Sequence, residues 1–246
     1  MIITSVNNEK IVKLAKLKDK KYRDSEGMFL VEGVHLVLEA YRNNLLIEII
    51  LEQDEVTLIK APITYVTNEI TNKLSTLKTP SKIFGVCKKK EESDDLGDRI
   101  LLLDNIQDPG NLGTILRSAA AFGVTSVVLN KDNVDLYNPK VIRSSQGIQF
   151  VLNVIERDLK ETIKQIKALE IPVYGTRTQY GEDIDSLRDK DKIRYALVMG
   201  NEGSGVNDDI LDLCDRYLYI EMLNNVESLN VAVAGSILLY EFIRRD

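Results

Sequence analysis

Three separated stretches of the chain combine residue types that could do chemistry. The first is Asp104-Asn-Ile-Gln-Asp-Pro-Gly-Asn-Leu-Gly-Thr-Ile-Leu-Arg-Ser-Ala-Ala-Ala-Phe-Gly123, directly after an apolar, strand-like run. Pro109 and Gly110 form a turn, and Asn111 is expected to cap the helix that follows. Leu112, Ile115, Leu116, Ala119 and Phe122 make one apolar stripe at helical spacing, and Arg117 lies off it. An isolated helical arginine is usually solvated or ion-paired. Here Gly110, Gly113, Ser118 and the alanines at 119–121 leave room for a backbone or a ligand, and a guanidinium can grip phosphate with paired donors.

The second stretch, Ala196-Leu-Val-Met-Gly-Asn-Glu-Gly-Ser-Gly-Val206, reads as a buried strand that stops in three glycines within six residues. Ligands of open α/β sheets bind at such strand ends. The glycine order does not fit G-x-G-x-x-G and no G-K-[ST] follows, which argues against dinucleotide and P-loop sites. Glu202 has little packing value among glycines, but its carboxylate could orient a hydroxyl or a cation. The third stretch, Ile220-Glu-Met-Leu-Asn-Asn-Val-Glu-Ser-Leu-Asn-Val-Ala-Val-Ala-Gly235, runs from a strand through a polar loop into a small-residue helix, which Ser228 or Asn230 could simply cap. The sequence argues against a serine hydrolase built on Ser228, because the one histidine, His35, lies in the front domain and no nucleophile elbow surrounds the serine.

The elements needed to hold these stretches follow from periodicity. Apolar runs at 100–103, 126–129, 172–175, 195–199 and 217–220 alternate with helical patterns at 112–122, 159–169, 208–213 and 230–244. That alternation predicts an α/β fold with a mostly parallel sheet and helices on both faces. Upstream, helices are expected at 9–18, 34–42 and 67–77, with strands at 28–32, 46–51 and 83–87, which makes a smaller α/β domain. The polar stretch Lys88-Lys-Lys-Glu-Glu-Ser-Asp-Asp-Leu-Gly-Asp98 is the expected linker region, dividing the chain into a domain at 1–90, a linker at 91–98 and a domain at 99–246.

Composition bounds the partners. The net charge is −6, yet residues 1–90 carry 15 Lys and Arg against 11 Asp and Glu, which leaves 17 against 27 for residues 91–246. Nucleic-acid affinity follows local clusters of cations, and the front run Lys10, Lys13, Lys16, Lys18, Lys20, Lys21 and Arg23 suits RNA phosphates, although a solvated helix face explains any single lysine as well. Cys87 and Cys214 each sit in apolar surroundings, so no disulfide is expected. No signal pattern, membrane-length apolar run or metal site is expected, and the setting is read as reducing and cytoplasmic.

Taken together, Asn111-x-Gly113-x-x-x-Arg117, then Gly200-x-Glu202-x-x-Gly205, then Ser228-x-Asn230 before the last helix resemble, in order, the motifs of the SpoU (TrmH-type) branch of the SPOUT RNA methyltransferases. Arg23-Asp-Ser-Glu-Gly-Met-Phe-Leu-Val-Glu-Gly33 resembles the opening of the ribosomal-protein-like substrate-binding domain often fused in front of that catalytic domain. The resemblance implies a deep trefoil knot, S-adenosylmethionine as methyl donor, a homodimer, and methylation of a ribose 2′-hydroxyl of RNA. The fused front domain favours 23S ribosomal RNA; the alternatives are a tRNA 2′-O-methyltransferase or a non-catalytic RNA-binding paralogue. It also implies donor contacts from Thr176, Met199, Gly200, Asn201, Gly203, Ile220, Met222, Leu223, Ser228 and Leu229. Arg117, Asn111, Glu202, Ser228 and Asn230 are the implied catalytic set, and Lys10, Lys13, Lys20, Lys21, Arg23 and Arg117 the implied RNA contacts. One departure stands out. After Arg143-Ser-Ser, relatives often read like Met-Gly-Ala-x-Phe-Arg where this chain has Gln146-Gly-Ile-Gln-Phe-Val151, so a basic residue seen in many relatives is missing.

Overall fold

A computed structural model describes residues 2–224 and 226–243. In chain order, the first elements are β1 (Ile2–Ile3), α1 (Glu9–Lys16), α2 (Lys20–Glu26), β2 (Met28–Glu32), α3 (Val34–Arg42), β3 (Leu46–Glu52), β4 (Ile63–Val66), α4 (Asn68–Leu74) and β5 (Ile83–Lys88). Next come β6 (Arg99–Leu103), α5 (Pro109–Ala121), β7 (Ser126–Leu129), α6 (Pro139–Ser145), β8 (Asn153–Glu156), α7 (Leu159–Ala168) and β9 (Val173–Thr176). The last are β10 (Glu182–Asp183), β11 (Tyr195–Met199), α8 (Asp208–Leu211), β12 (Arg216–Tyr219) and α9 (Val231–Ile243). Periodicity anticipated most of these but not β1, α2, β4, α6, β8 or β10, which are short or lack a one-sided apolar pattern. The expected end of the last helix at Arg244 lies outside the described residues.

The chain divides into two compact units, Met1–Glu91 with Asp135–Val151, and Glu92–Val134 with Leu152–Asp246. This differs from a single cut at 91–98. Residues 135–151 join the first unit because Tyr137, Ile142 and Phe150 belong to its core with Phe29, Val31 and Val37. The Phe29 ring lies 4.7 Å from that of Tyr137 and 5.6 Å from that of Phe150.

The first unit is built on a mixed sheet of order β1-β4-β3-β5-β2, with β3 and β2 antiparallel to β5. Asn8 caps α1 by accepting from Lys10 N at 3.0 Å, and Ile11 and Leu14 turn its inner face to the core. The helix expected over 67–77 ends at Leu74, since Ser75 is already extended and Glu32 accepts from the backbone N–H of Thr76 at 3.1 Å.

The second unit holds a sheet of order β10-β12-β9-β11-β6-β7-β8 in which every described pair is parallel. All five residues of β11 are buried, as expected for a central strand covered on both faces. Ala196 and Val198 face a cluster with Ile163 and Ile166 of α7 and Ile210 and Leu211 of α8. Met199 points to the other face, where a Cβ on Gly235 of α9 would fall 2.7 Å from its Sδ. Ser118 of α5 and Ser236 of α9 share a 2.6 Å hydrogen bond on that side. From β6 the chain builds β7 and β8 on one side, and β11, β9 and β12 lie on the other. The order therefore reverses between β6 and β11, and the cleft outside their C-terminal ends is the topological switch point where ligands of such sheets bind.

Candidate active site

The loops leaving β6 and β11 meet at that cleft. Gly200 is required here by sterics: a Cβ would fall 2.1 Å from the backbone carbon of Gly205, because the loop folds back on itself. Asn201 N donates to Gly205 O at 2.9 Å and Gly205 N returns a bond to Asn201 O at 3.0 Å. The Asn201 side chain is used within the fold. Its Oδ1 accepts from Gly203 N at 2.8 Å and its Nδ2 donates to Asn105 O at 2.9 Å, so it shapes the turn.

This turn carries Glu202 over the start of α5. Asn111 Nδ2 donates to Glu202 Oε1 at 2.9 Å, and the backbone N–H groups of Asp108 and Gln107 approach the same carboxylate at 3.3 and 3.4 Å. Partial burial alone would raise the Glu202 pKa. The bonds from the Asn111 side chain and from the backbone at Glu202, Asp108 and Gln107 outweigh it and hold the carboxyl below its ordinary value. The cap of α5 is Asp108, not Asn111: Asp108 Oδ1 accepts from Asn111 N at 2.9 Å. The helix starts earlier than expected because proline suits the first helical position, and this frees the Asn111 amide to bridge. Asn230 Nδ2 donates to Asn111 Oδ1 at 2.9 Å, while Asn230 Oδ1 caps α9 by accepting from Ala232 N at 2.9 Å. The result is a carboxylate–amide–amide chain, Glu202, Asn111, Asn230, drawn from all three stretches.

Beside it opens a cavity of about 580 Å³. Thr176, Met199, Gly200, Asn201, Gly203, Ile220, Met222, Ser228 and Leu229 line it, as does Glu202. Leu223 does not; its side chain is 73 % exposed. Residues that sequence reasoning missed include Arg177, Thr178, Gln179 and Tyr180 on the loop after β9, and Leu218, Val231 and Leu238 on the apolar wall. The rule that parallel strands bind ligands beyond their C-terminal ends would have found the β9 loop. Arg177 stacks over the Tyr217 ring, 4.2 Å from its centroid, which fixes that rim.

Other expected residues are placed differently. Arg117 is exposed on α5, is not among the residues lining the cavity, and its side chain makes no hydrogen bond or ion pair among the described residues. In the first unit, Arg23 cannot offer its guanidinium to phosphate: it is 3 % exposed, pairs with Asp135 at 2.5 Å and donates to Leu17 O at 2.8 Å and Lys18 O at 2.6 Å. It serves as a buried clamp on residues 135–151. Lys10 is held by Glu48 at 2.6 Å and Lys20 by Asp24 at 2.7 Å, whereas Lys13 and Lys21 are exposed. Gln149, in the segment that departs from the family pattern, is buried and bonds Ser145 Oγ at 2.5 Å. Among the described residues, no group of three or more His, Cys, Asp or Glu side chains could hold a metal ion, and no helix is long and apolar enough to cross a membrane.

Comparison with known proteins places this geometry. The SpoU rRNA methylase family model matches residues 98–240, and an MRM3-like substrate binding domain model matches residues 8–85. The 23S rRNA (guanosine(2553)-2′-O)-methyltransferase of Bacillus subtilis is 37% identical over 243 residues, covering 97% of this chain and 97% of its own length. A crystal structure of an RNA 2′-O ribose methyltransferase superposes with a TM-score of 0.82 at 29% identity, over 99% of this chain and 98% of that one. An AdoMet-bound rRNA methyltransferase from Sinorhizobium meliloti shares the fold, with a TM-score of 0.86 at 24% identity over 98% of this chain and 97% of that one.

Proposed function

The chain belongs to the SpoU rRNA methylase family, and on that premise we propose that it transfers a methyl group from S-adenosylmethionine to a ribose 2′-hydroxyl of 23S ribosomal RNA, acting in the cytoplasm. The observation that carries this reading is the Glu202–Asn111–Asn230 chain, whose Glu202 lines a small-molecule cavity at the sheet's switch point. A tRNA substrate is less favoured, because the full-length relative from Bacillus subtilis acts on 23S rRNA.

The cavity fits the donor. Its volume of about 580 Å³ is in the range of small-molecule sites, with an apolar wall from Met199, Leu218, Ile220, Leu229 and Leu238 for the adenine and methylene groups. Thr176, Ser228 and the backbone of residues 200–205 supply polar contacts. When bound, S-adenosylmethionine would supply a methyl group activated by its sulfonium.

The chain's own residues orient and stabilise. Glu202, held ionised by its donors, fixes the Asn111 amide, which in turn aligns Asn230 and the last loop against the cavity. Ser228 lines the cavity. Arg117 is a poor base, since a guanidinium is a cation with five donors and no acceptor. Its forked donors instead suit a substrate phosphate and the negative charge that grows on the 2′-oxygen. Its lack of an internal partner supports that role.

Two further parts of the reading concern architecture. In the sheet β9 lies between β12 and β11, yet α9, the next helix after β12, packs on α5 and sets Gly235 against Met199 of β11. This placement supports a deep trefoil knot. Val233, Ile237 and Tyr240 leave an apolar stripe exposed on α9, which supports a homodimer through that face. The front unit, with exposed Lys13 and Lys21, would bind RNA as a ribosomal-protein-like module. The decisive test is mapping of 2′-O-methyl groups in total RNA from cells with and without the gene, together with methyl transfer from labelled S-adenosylmethionine to purified 23S rRNA. Loss of one 23S position in the deletion strain supports the proposal; an unchanged ribosomal map with a lost tRNA position overturns the substrate.

A further inference from the structure

Asp104, the first residue after β6, carries a buried carboxylate that the activity as described does not use. It is 1 % exposed, and among the described residues no cation pairs with it. A charge buried in this way is tolerated only when donors replace water, and three do. Asp104 Oδ1 accepts from Asn130 Nδ2 at 2.8 Å, and Oδ2 accepts from both the backbone N–H and the Nδ2 of Asn207 at 2.8 Å. The backbone N–H of Asp104 meanwhile donates to Met199 O at 2.8 Å.

These bonds land on both feet of the loop between β11 and α8. Met199 is where the loop leaves the sheet and Asn207 is where it enters α8, so one residue clamps entry and exit of the segment that walls the donor cavity. Asn207 stands at the N-cap of α8, yet its side chain makes no cap bond. It is turned to the Asp104 carboxylate instead. Asn130 extends the same clamp to the neighbouring loop, since its Oδ1 accepts from Asn105 N at 3.2 Å and from Asn133 Nδ2 at 2.5 Å.

We propose that Asp104 is a positioning residue that holds the 200–206 loop in its donor-binding shape; the inference rests on the reading of that cavity as the S-adenosylmethionine site. The carboxylate is chemically necessary. An asparagine at 104 could accept the two Asn207 donors with its oxygen, but its NH₂ would then face the NH₂ of Asn130. Turning Asn130 over would relieve that clash only by withdrawing the acceptor from Asn105 N. The double variant Asp104→Asn/Asn130→Asp repairs both faults, because an aspartate at 130 accepts from position 104 with one oxygen and from Asn105 N and Asn133 with the other.

Calorimetric S-adenosylmethionine binding and the steady-state split between donor KM and kcat test the inference on folded protein. Asp104→Asn is expected to weaken donor binding about tenfold, the loss appearing mainly in donor KM, as for a lost charge-assisted bond. The double variant is expected to recover donor affinity to within about threefold of the original. Should Asp104→Asn not fold, Asn207→Ala removes one donor from the exposed side and is expected to raise donor KM about threefold. Unchanged donor affinity in the folded single variants, or no recovery in the double variant, overturns the inference. Absence of donor binding to the unaltered protein would instead overturn the reading of the cavity on which it stands.

Discussion

Asn111 and Glu202, 91 positions apart in the chain, are joined by a 2.9 Å hydrogen bond from Asn111 Nδ2 to Glu202 Oε1. The bond ties the first turn of α5 to the loop after β11 across the sheet's switch point. With the Asn230–Asn111 bond, it brings three stretches of sequence that could each be structural to one place.

Glu202→Gln should break this site from within. A glutamine amide keeps one acceptor, but its NH₂ would face a donor, either Asn111 Nδ2 or the backbone N–H of Asp108 or Gln107. Single-turnover methyl transfer should fall by about tenfold or more, in line with the loss of a charge-assisted hydrogen bond. Full transfer at saturating donor and RNA would show that the carboxylate is dispensable.

The pH behaviour of Glu202 has a definite sign. Its folded pKa lies below the ordinary value, so the stability it contributes is present above the unfolded pKa of about 4.3 and is lost as pH falls through the lower folded value. In urea unfolding, the gap between the unaltered protein and Glu202→Gln should stay constant from neutral pH to about 4.5 and shrink only below it. Shrinkage already between pH 7 and pH 5 would contradict the lowered pKa.

Arg117→Lys separates function from folding. Arg117 has no internal partner among the described residues, so the variant's stability should stay within about 0.5 kcal/mol of the original in thermal unfolding. Turnover at saturating RNA should nevertheless drop, since an ammonium keeps the charge but loses the fork. Near-normal turnover would refute paired recognition of phosphate.

Arg23 and Lys21 lie two residues apart and should behave oppositely. Arg23→Ala strands the Asp135 carboxylate and should cost about 3 kcal/mol of stability. Lys21→Ala should leave stability unchanged and weaken RNA binding, measurably more at low than at high salt. Equal stability losses in the two variants would show that burial does not separate their roles.

The α9 stripe can be tested by Ile237→Asp, which places a charge where an apolar partner face is expected. Sedimentation should show the unaltered protein as a dimer and the variant shifted toward monomer. A monomeric unaltered protein that is fully active would remove the dimer from the mechanism.

Much of the second unit was readable from residue order alone. The runs at 126–129 and 195–199 became β7 and β11 without adjustment, because β-branched and leucine-rich runs bounded by glycine, asparagine and charge have few other places to go. The three polar stretches could likewise be picked out, though only by their combination and order, since Asn111, Ser228 and Asn230 each read singly as helix caps. Tertiary structure decided the rest. Asn111 reads as a cap and proves a bridge, because the cap role passes to Asp108 only once Pro109 starts the helix. Arg23 reads as an RNA contact and proves a buried clamp, because its partner Asp135 lies 112 positions away. Asp104 reads only as the first residue after a strand, and the return of residue 207 to the same point is what makes it a clamp. Local spacing determines which residues can share a helix face or end a strand. Which carboxylate meets which amide across 91 or more positions depends on the order in which the parallel strands are laid side by side, and no local pattern records that.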